Sequence, residues 1–86
     1  MSKNIYKGPW YAYIAGCNDN TLYAGVAINV AERIKEHNST NKCRYTRTRK
    51  PIILLYQELC DNYSLARKRE AGIKSLSRSE KLALIK

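Results

Sequence analysis

Several features of secreted, zinc-binding and membrane proteins are missing from this chain of 86 residues. Its three cysteines, Cys17, Cys43 and Cys60, form no CxxC pair, and His37 is the only histidine, so neither a disulfide framework nor a zinc site is predicted. No apolar run approaches the ~18 residues of a membrane-spanning helix, and we find no signal-peptide or lipidation motif. We therefore predict a soluble, intracellular protein in a reducing compartment, the cytoplasm, with no membrane partner.

Acidic side chains are also scarce. Seven Asp and Glu stand against 16 Lys and Arg, which gives a formal charge of +9 at pH 7 and a pI near 9.7. This excess predicts a polyanionic partner, and nucleic acid is the first candidate. A membrane surface is the rival, but the apolar residues are dispersed along the chain.

A chain of this length has room for one domain and one modest core. Such a domain buries only about 60–65% of the surface that its unfolded chain exposes, so polar side chains on inward faces need a reason to be there. Residues 1–9 mix Lys and Asn without periodicity and end in Gly8-Pro9. We predict a flexible N-terminal segment over residues 1–9 and a single domain over residues 10–86.

The first regular structure is predicted to be a hairpin. Two strand-like runs, Trp10–Ala15 and Leu22–Ala27, are separated by a cluster of turn-forming residues, 16–21. Alternation puts an apolar set on one face: Trp10, Ala12, Ile14, Leu22, Ala24 and Val26. The other face carries Tyr11, Tyr13, Tyr23 and Gly25, so it is phenolic with a gap.

The remaining elements follow from caps and apolar runs. Asn29 is a predicted N-cap of a helix that ends near Asn38. Pro51 introduces Ile52–Tyr56, a continuous apolar run typical of a strand covered on both faces. A second helix is predicted over Tyr63–Leu76, and Ser77–Glu80 is a capping box that opens a third. The predicted fold class is α/β (α+β), a small three-stranded, mainly antiparallel sheet flanked by helices in the order β-β-α-β-α-α, with the strand order left open.

Residues 39–50 lack periodicity and form a predicted basic loop. Arginine, lysine, threonine and tyrosine are interleaved there, a mixture seen where proteins grip phosphates. The cations are Lys42, Arg44, Arg47, Arg49 and Lys50, and the interleaved residues are Tyr45, Thr46 and Thr48. A solvated surface is the alternative interpretation.

Five segments in order carry a resemblance to a known family. They are Tyr11-Ala12-Tyr13, Tyr23-Ala24-Gly25, Glu32–Asn38 with Arg33 and His37, Arg44–Arg47, and Arg69–Leu76 with Glu70. Ten residues separate Tyr13 from Tyr23, and ten more separate Tyr23 from Arg33. The chain resembles the GIY-YIG nuclease family, most closely its small stand-alone single-domain subfamily. It departs from the family pattern at Tyr11, which replaces a glycine, and at Val26-Ala27, where a threonine is common.

The resemblance implies a set of catalytic and binding residues. The catalytic set is Tyr13, Tyr23, Arg33, His37 and Glu70. Tyr23 is the first choice for the general base, with Tyr13 orienting the water or sharing that role, and Arg33 holds the scissile phosphate. Glu70 is the implied ligand of Mg²⁺, for which Mn²⁺ could substitute. His37 either has a structural role or hydrogen-bonds a phosphate or a tyrosine. The expected nucleic-acid contacts are Gly25, Lys42, Arg44, Tyr45, Arg47, Arg49 and Lys74.

The implied function is a divalent-metal-dependent endonuclease that hydrolyses phosphodiester bonds in DNA with limited sequence preference. Structured, branched, nicked or single-stranded DNA is expected as partner, RNA stays open, and a protein partner could supply specificity. Two alternatives belong to other classes. One is a nucleic-acid-binding module without turnover, and the other is an accessory subunit that is active only in a complex.

Overall fold

Three strands and three helices make up the fold. A computed structural model of the chain describes residues 7–86. Its elements are β1 (Lys7–Gly16), β2 (Leu22–Ala27), α1 (Val30–Ser39), β3 (Ile53–Asn62), α2 (Tyr63–Lys74) and α3 (Arg78–Ile85). The predicted α+β class and the order β-β-α-β-α-α are confirmed. Of the predicted flexible segment, residues 1–6 lie outside the described residues, and residues 7–9 belong to β1, which begins three residues before the predicted strand.

β1 is the central strand of an antiparallel sheet with the order β2-β1-β3. Tyr13 pairs with Gly25 of β2 on one side and with Gln57 of β3 on the other. Because side chains alternate across a strand, the neighbours of Tyr13 face the opposite way. Tyr13 accordingly belongs to one buried cluster and Ala12 and Ile14 to another, which confirms the predicted division of the two faces.

β3 is an edge strand, and the prediction of a strand covered on both faces is wrong. Ile53 is 59% exposed and Leu59 61% exposed, so the helices leave part of the side-chain surface of this strand uncovered, and no further strand among residues 7–86 pairs with its outer edge. The strand also extends six residues beyond the predicted Tyr56. Within the predicted apolar run only Ile52 is fully buried, and it precedes the strand.

Helices cover the two faces of the sheet. Val30 of α1 and Ile52 pack with Tyr13 on the first face, while Ile73 of α2 packs with Ile14 on the second. Burial of an isoleucine side chain contributes roughly 1.5–3 kcal/mol, so each face has at least one such anchor. None of the helices within residues 7–86 is long and apolar enough to cross a bilayer.

Helix caps position the helices, and those predicted at Asn29 and Ser77–Glu80 are confirmed. Asn29 Oδ1 accepts from the backbone N–H of Glu32 at 3.1 Å, and Asn62 caps α2 in the same way. Ser77 and Glu80 form both bonds of a capping box at the start of α3. α1 begins only three residues after β2 ends. Its first two turns therefore lie over the phenolic face of the sheet.

Asn38 connects the end of α1 to the segment that leads into β3. Its amide Nδ2 donates to the carbonyl of Ile52 at 2.9 Å, and its Oδ1 accepts from the backbone N–H of Ile52 at 2.7 Å. One side chain thus satisfies both backbone groups of a buried residue. These two bonds bring together the two ends of the basic loop, residues 39–50, which folds back over α1 and the sheet.

Candidate active site

Tyr13 occupies the centre of the phenolic face. Its side chain is 1% exposed, and the hydroxyl lies directly over Gly25 on the neighbouring strand. A Cβ atom at Gly25 would lie 2.7 Å from that hydroxyl oxygen, closer than real Cβ atoms approach. The gap predicted at Gly25 is therefore filled by the Tyr13 phenol, and a phosphate contact at Gly25 stays a prediction.

A buried chain of three polar side chains begins at Tyr13. The Tyr13 hydroxyl lies 3.2 Å from Nε2 of His37, and Nδ1 of His37 lies 2.9 Å from Oγ1 of Thr46. His37 is 3% exposed and Thr46 is fully buried. Burial, and then the charge of Arg33, lower the pKa of His37, so the imidazole is neutral near pH 7. A neutral ring that donates from Nδ1 to Thr46 can accept from Tyr13 at Nε2.

Tyr23 adjoins this chain through ring contacts. Its ring centroid lies 6.4 Å from that of Tyr13, 5.3 Å from that of His37 in an edge-on contact, and 5.5 Å from that of Tyr45 in a stacked contact. The Cys43 thiol donates to the Tyr23 hydroxyl at 3.7 Å. The two phenols, the imidazole and the thiol thus form one compact group.

Both phenols are held in their neutral form. Burial raises the pKa of Tyr13 to about 12, against the opposing charge of Arg33. Burial also raises the pKa of Tyr23. A phenol needs a partner that takes its proton, or a cation at its oxygen, before it can act as a base at pH 7.

Arg33 borders the group from α1. Its guanidinium pairs with Glu36 at 2.7 Å, is partly exposed, and lowers the pKa of Tyr13 by its charge and a hydrogen bond. A cavity of about 140 Å³ opens beside it and is lined by Arg33, Glu36, His37, Thr40, Lys42 and Cys43. Arg33 and Lys42 contribute two positive charges and Glu36 one negative charge, so the lining is positive on balance and suited to an anion.

Glu70 approaches from the other face of the sheet. Its carboxylate is 13% exposed and pairs with Arg67 at 2.9 Å and with Lys74 at 3.1 Å. Its charge is a minor cause of the raised pKa of Tyr13, behind burial and Cys43. The structure thus brings Tyr13, Tyr23 and Arg33 together, with Glu70 at the margin.

A metal ion at Glu70 would find few other protein ligands. No group of three or more His, Cys, Asp or Glu side chains within residues 7–86 could hold a metal ion. Mg²⁺ prefers oxygen ligands and commonly keeps several waters while borrowing phosphate oxygens from its substrate. A single carboxylate is compatible with that pattern, provided that the substrate completes the coordination.

The basic loop divides into engaged and available cations. Arg49 donates to Asp19 at 3.0 Å and to the Tyr45 carbonyl at 2.7 Å, and its guanidinium lies 4.1 Å from the centre of the Tyr45 ring. The ion pairs of the described residues do not include the three exposed cations Lys42, Arg44 and Arg47. Lys74, the last expected contact, is engaged by Glu70.

Sequence reasoning missed Thr46, Cys43 and Glu36 as members of the site. Thr46 was expected only as one interleaved residue of a phosphate-gripping loop, yet it is a buried partner of His37. No signal in the sequence distinguishes it from Thr48, because loops carry no periodicity. Glu36 could have been found, since it lies three residues after Arg33 on the same helix.

Comparisons with known proteins identify the family of this chain. The model of the GIY-YIG catalytic domain matches residues 9–83. UPF0213 protein DP2720 of Desulfotalea psychrophila is 51% identical over 78 residues, 90% of this chain and 71% of that protein. A UPF0213 protein of Syntrophus aciditrophicus is 47% identical over 87 residues, 100% of this chain and 93% of that protein. The solution NMR structure of UPF0213 protein BH0048 from Bacillus halodurans is 35% identical, with a TM-score of 0.57, over 91% of this chain and 83% of that one.

Proposed function

Since the chain belongs to the GIY-YIG catalytic domain family, we propose that it is a divalent-metal-dependent endonuclease that hydrolyses phosphodiester bonds in DNA with limited sequence preference. The convergence of Tyr13, Tyr23, His37 and Arg33 beside one cation-lined cavity carries this proposal. The described residues include no separate base-reading module. The substrate is therefore selected by DNA structure, such as a branch, a nick or a single strand, or by a partner protein.

The scissile phosphate binds in the cavity beside Arg33. The planar guanidinium can donate two parallel hydrogen bonds to phosphate oxygens, and Lys42 adds a second positive charge. Arg33 must then share its donors between the phosphate and Glu36, which it already contacts at 2.7 Å. Its link to Tyr13 holds the phosphate close to the phenol that handles the water.

Tyr13 and His37 transfer the proton of the attacking water. The phenol oxygen of Tyr13 accepts a proton from water while its own O–H proton moves to Nε2 of His37, 3.2 Å away. The water O–H bond breaks as its oxygen bonds to phosphorus, and the bond from phosphorus to the leaving sugar oxygen breaks; that oxygen then takes a proton from the His37 imidazolium or from solvent water. The negative charge of the phosphate favours the imidazolium, whereas the charge of Arg33 opposes it. Thr46 keeps the ring in the tautomer that leaves Nε2 free to accept. Tyr13 is favoured over Tyr23 as the base because its hydroxyl contacts an imidazole nitrogen that can accept a proton, whereas the hydroxyl of Tyr23 contacts a thiol that donates one.

Glu70 is the proposed ligand of Mg²⁺, which would stabilise charge on the phosphate and lower the pKa of a bound water. Its carboxylate now accepts from Arg67 and Lys74. A DNA phosphate that competes for Lys74 would release one Glu70 oxygen for the cation. Metal binding without DNA should accordingly be weak.

The test compares the wild type with Glu70→Gln in Mg²⁺ or Mn²⁺ on branched, nicked and single-stranded DNA and on RNA. Because metal assistance provides several kcal/mol, cleavage by Glu70→Gln should fall by about 100-fold or more while DNA affinity stays close to that of the wild type. Glu32→Gln, which removes an exposed carboxylate from α1, is the matched control and should leave both unchanged.

The other possible results would change either the assignment of Glu70 or the proposed function. Equal loss of cleavage and binding in Glu70→Gln would remove its assignment as metal ligand. Salt-dependent binding without metal-stimulated cleavage would favour a non-catalytic nucleic-acid-binding module, an alternative supported by the raised pKa of both phenols. Cleavage that arises only with a partner protein would favour an accessory subunit.

A further inference from the structure

A second basic cavity borders Tyr45, the residue that stacks on Tyr23. It has a volume of about 140 Å³ and is formed by the hairpin turn, the basic loop and the first turn of α3. Its lining residues are Thr21, Leu22, Tyr45, Arg78 and Lys81. Two cations, one hydroxyl and one phenol contribute to it, and none of the lining side chains is a carboxylate.

The two cations of this cavity lack acidic partners. Neither Arg78 nor Lys81 takes part in any ion pair between described residues. Glu80, the acid of the same turn, accepts from the backbone N–H of Ser77 at 2.8 Å in the capping box. Asp19 of the hairpin turn accepts from Arg49 and from the hydroxyl of Thr21, which lines the cavity. Like charges three residues apart on a helix repel, so an anion is the ligand that this pair can stabilise.

Tyr45 connects this cavity with the proposed site of chemistry. Its ring lines the cavity and stacks on Tyr23 with a centroid distance of 5.5 Å. Tyr23 in turn adjoins Tyr13. Two contacting aromatic rings, Tyr23 and Tyr45, thus connect the proposed site of chemistry with this cavity, and the guanidinium of Arg49 lies 4.1 Å from the centre of the Tyr45 ring. Aromatic rings flanked by cations are typical of surfaces that bind a single strand.

We propose that Arg78 and Lys81 form a second phosphate-binding site for the strand that is cut at Arg33. The inference rests on the proposed function in one respect, that the ligand is nucleic acid. In this proposal α3 belongs to the surface that binds the substrate. The sequence predicts only that α3 is a helix, from its capping box and its apolar residues. The site holds a phosphate of the backbone and reads no base, which agrees with a substrate of limited sequence preference.

The experiment measures the affinity of the full chain for a fluorescein-labelled oligothymidine by anisotropy over a series of salt concentrations. The test variant is Arg78→Gln with Lys81→Gln, and the control is Lys35→Gln with Lys68→Gln, which removes two exposed charges from α1 and α2. Each lost single-strand phosphate contact lowers the salt slope by about 0.7. The test variant should therefore lose about 1.4 of slope and bind about 20-fold more weakly at about 0.1 M salt. The control should keep the wild-type slope.

The outcomes separate this inference from the proposed function. Equal effects of the two double variants would mean that only net charge matters, and the second phosphate site would be rejected. The expected loss of slope in a protein whose wild type cleaves no DNA or RNA would reject the nuclease proposal and keep the site. If the wild type binds neither DNA nor RNA, both are rejected. Far-ultraviolet circular dichroism checks that each variant is folded.

Discussion

The absent side chain of Gly25 makes room for the buried hydroxyl of Tyr13. A Cβ at this position would lie 2.7 Å from the hydroxyl oxygen and 2.8 Å from Cζ of the same ring. None of the described glycines has a positive φ, so an alanine here would be limited by space alone. Since Tyr13 is 1% exposed, its ring cannot move aside without displacing its buried neighbours.

Gly25→Ala should therefore damage both stability and catalysis. Forcing a methyl group into a packed core costs about 1–3 kcal/mol, and a phenol displaced by about 1 Å can lose about 100-fold in rate. Gly72→Ala is the control, because a Cβ there meets nothing within 4 Å and alanine in a helix is favoured by about 0.5–1 kcal/mol. Urea unfolding and cleavage rates check both variants. Wild-type activity in Gly25→Ala would show that the Tyr13 position does not matter.

The resemblance to the family pattern predicted that Tyr13, Tyr23, Arg33 and His37 share one site. Alternation in two paired strands brings the tyrosines to one face, and a helix that starts soon after β2 brings the other two over it. Thr46 could not be found in this way. Its contact with His37 depends on how an aperiodic loop closes, which local pattern does not encode.

At the scale of elements, two arginines of the basic loop have different surroundings. Arg47 is exposed and belongs to none of the ion pairs within residues 7–86, whereas Arg49 connects Asp19 of the hairpin turn to Tyr45. The backbone carbonyl of Arg49 also accepts from Asn18 at 2.8 Å. Arg49 therefore holds the loop against the hairpin, and Arg47 is available to a ligand.

Arg47→Gln and Arg49→Gln should consequently have opposite signatures. Losing one phosphate contact at Arg47 should lower the salt slope of DNA binding by about 0.7–0.9 with no change in stability. Losing the ion pair and ring contact of Arg49 should cost about 1–2 kcal/mol of unfolding free energy. Thermal unfolding and anisotropy titrations distinguish the two. If both variants lower the slope equally with unchanged stability, Arg49 is a phosphate contact like Arg47.

Helices were easier to predict than the third strand. Asn29, Asn62 and Ser77 are caps whose side-chain bonds are local, so the start of each helix can be recognised from the sequence alone. The apolar run before Tyr56 is compatible with either a central or an edge strand. The choice depends on which strand pairs twice, and β1 does so only because β2 and β3 both return to it.

At the scale of the whole molecule, the proposed site exists only in the complete fold. α1 with Arg33 and α2 with Glu70 pack on opposite faces of a single sheet, and the basic loop is tied to both α1 and the hairpin turn. A local opening of any of these elements would separate the His37 imidazole from the Tyr13 phenol, or the Glu70 carboxylate from these two side chains. Stability and catalysis should therefore respond together to conditions that protonate the buried histidine.

That response gives a pH prediction with a defined sign. The pKa of His37 is lowered by burial and then by Arg33. As the pH falls, His37 is therefore protonated near pH 6.5 in the unfolded chain but only at a lower pH in the folded chain. The free energy of unfolding should be constant above about pH 7 and decrease as pH falls below about 6.5, by at most about 1.4 kcal/mol per pH unit. His37 is the only histidine of the chain, so His37→Gln should flatten this slope whatever its effect at neutral pH. Urea unfolding of both proteins between about pH 5.5 and 7.5 measures it. An identical slope in the variant would mean that the imidazole gains no proton on unfolding, and the lowered pKa of His37 in the folded protein would be rejected.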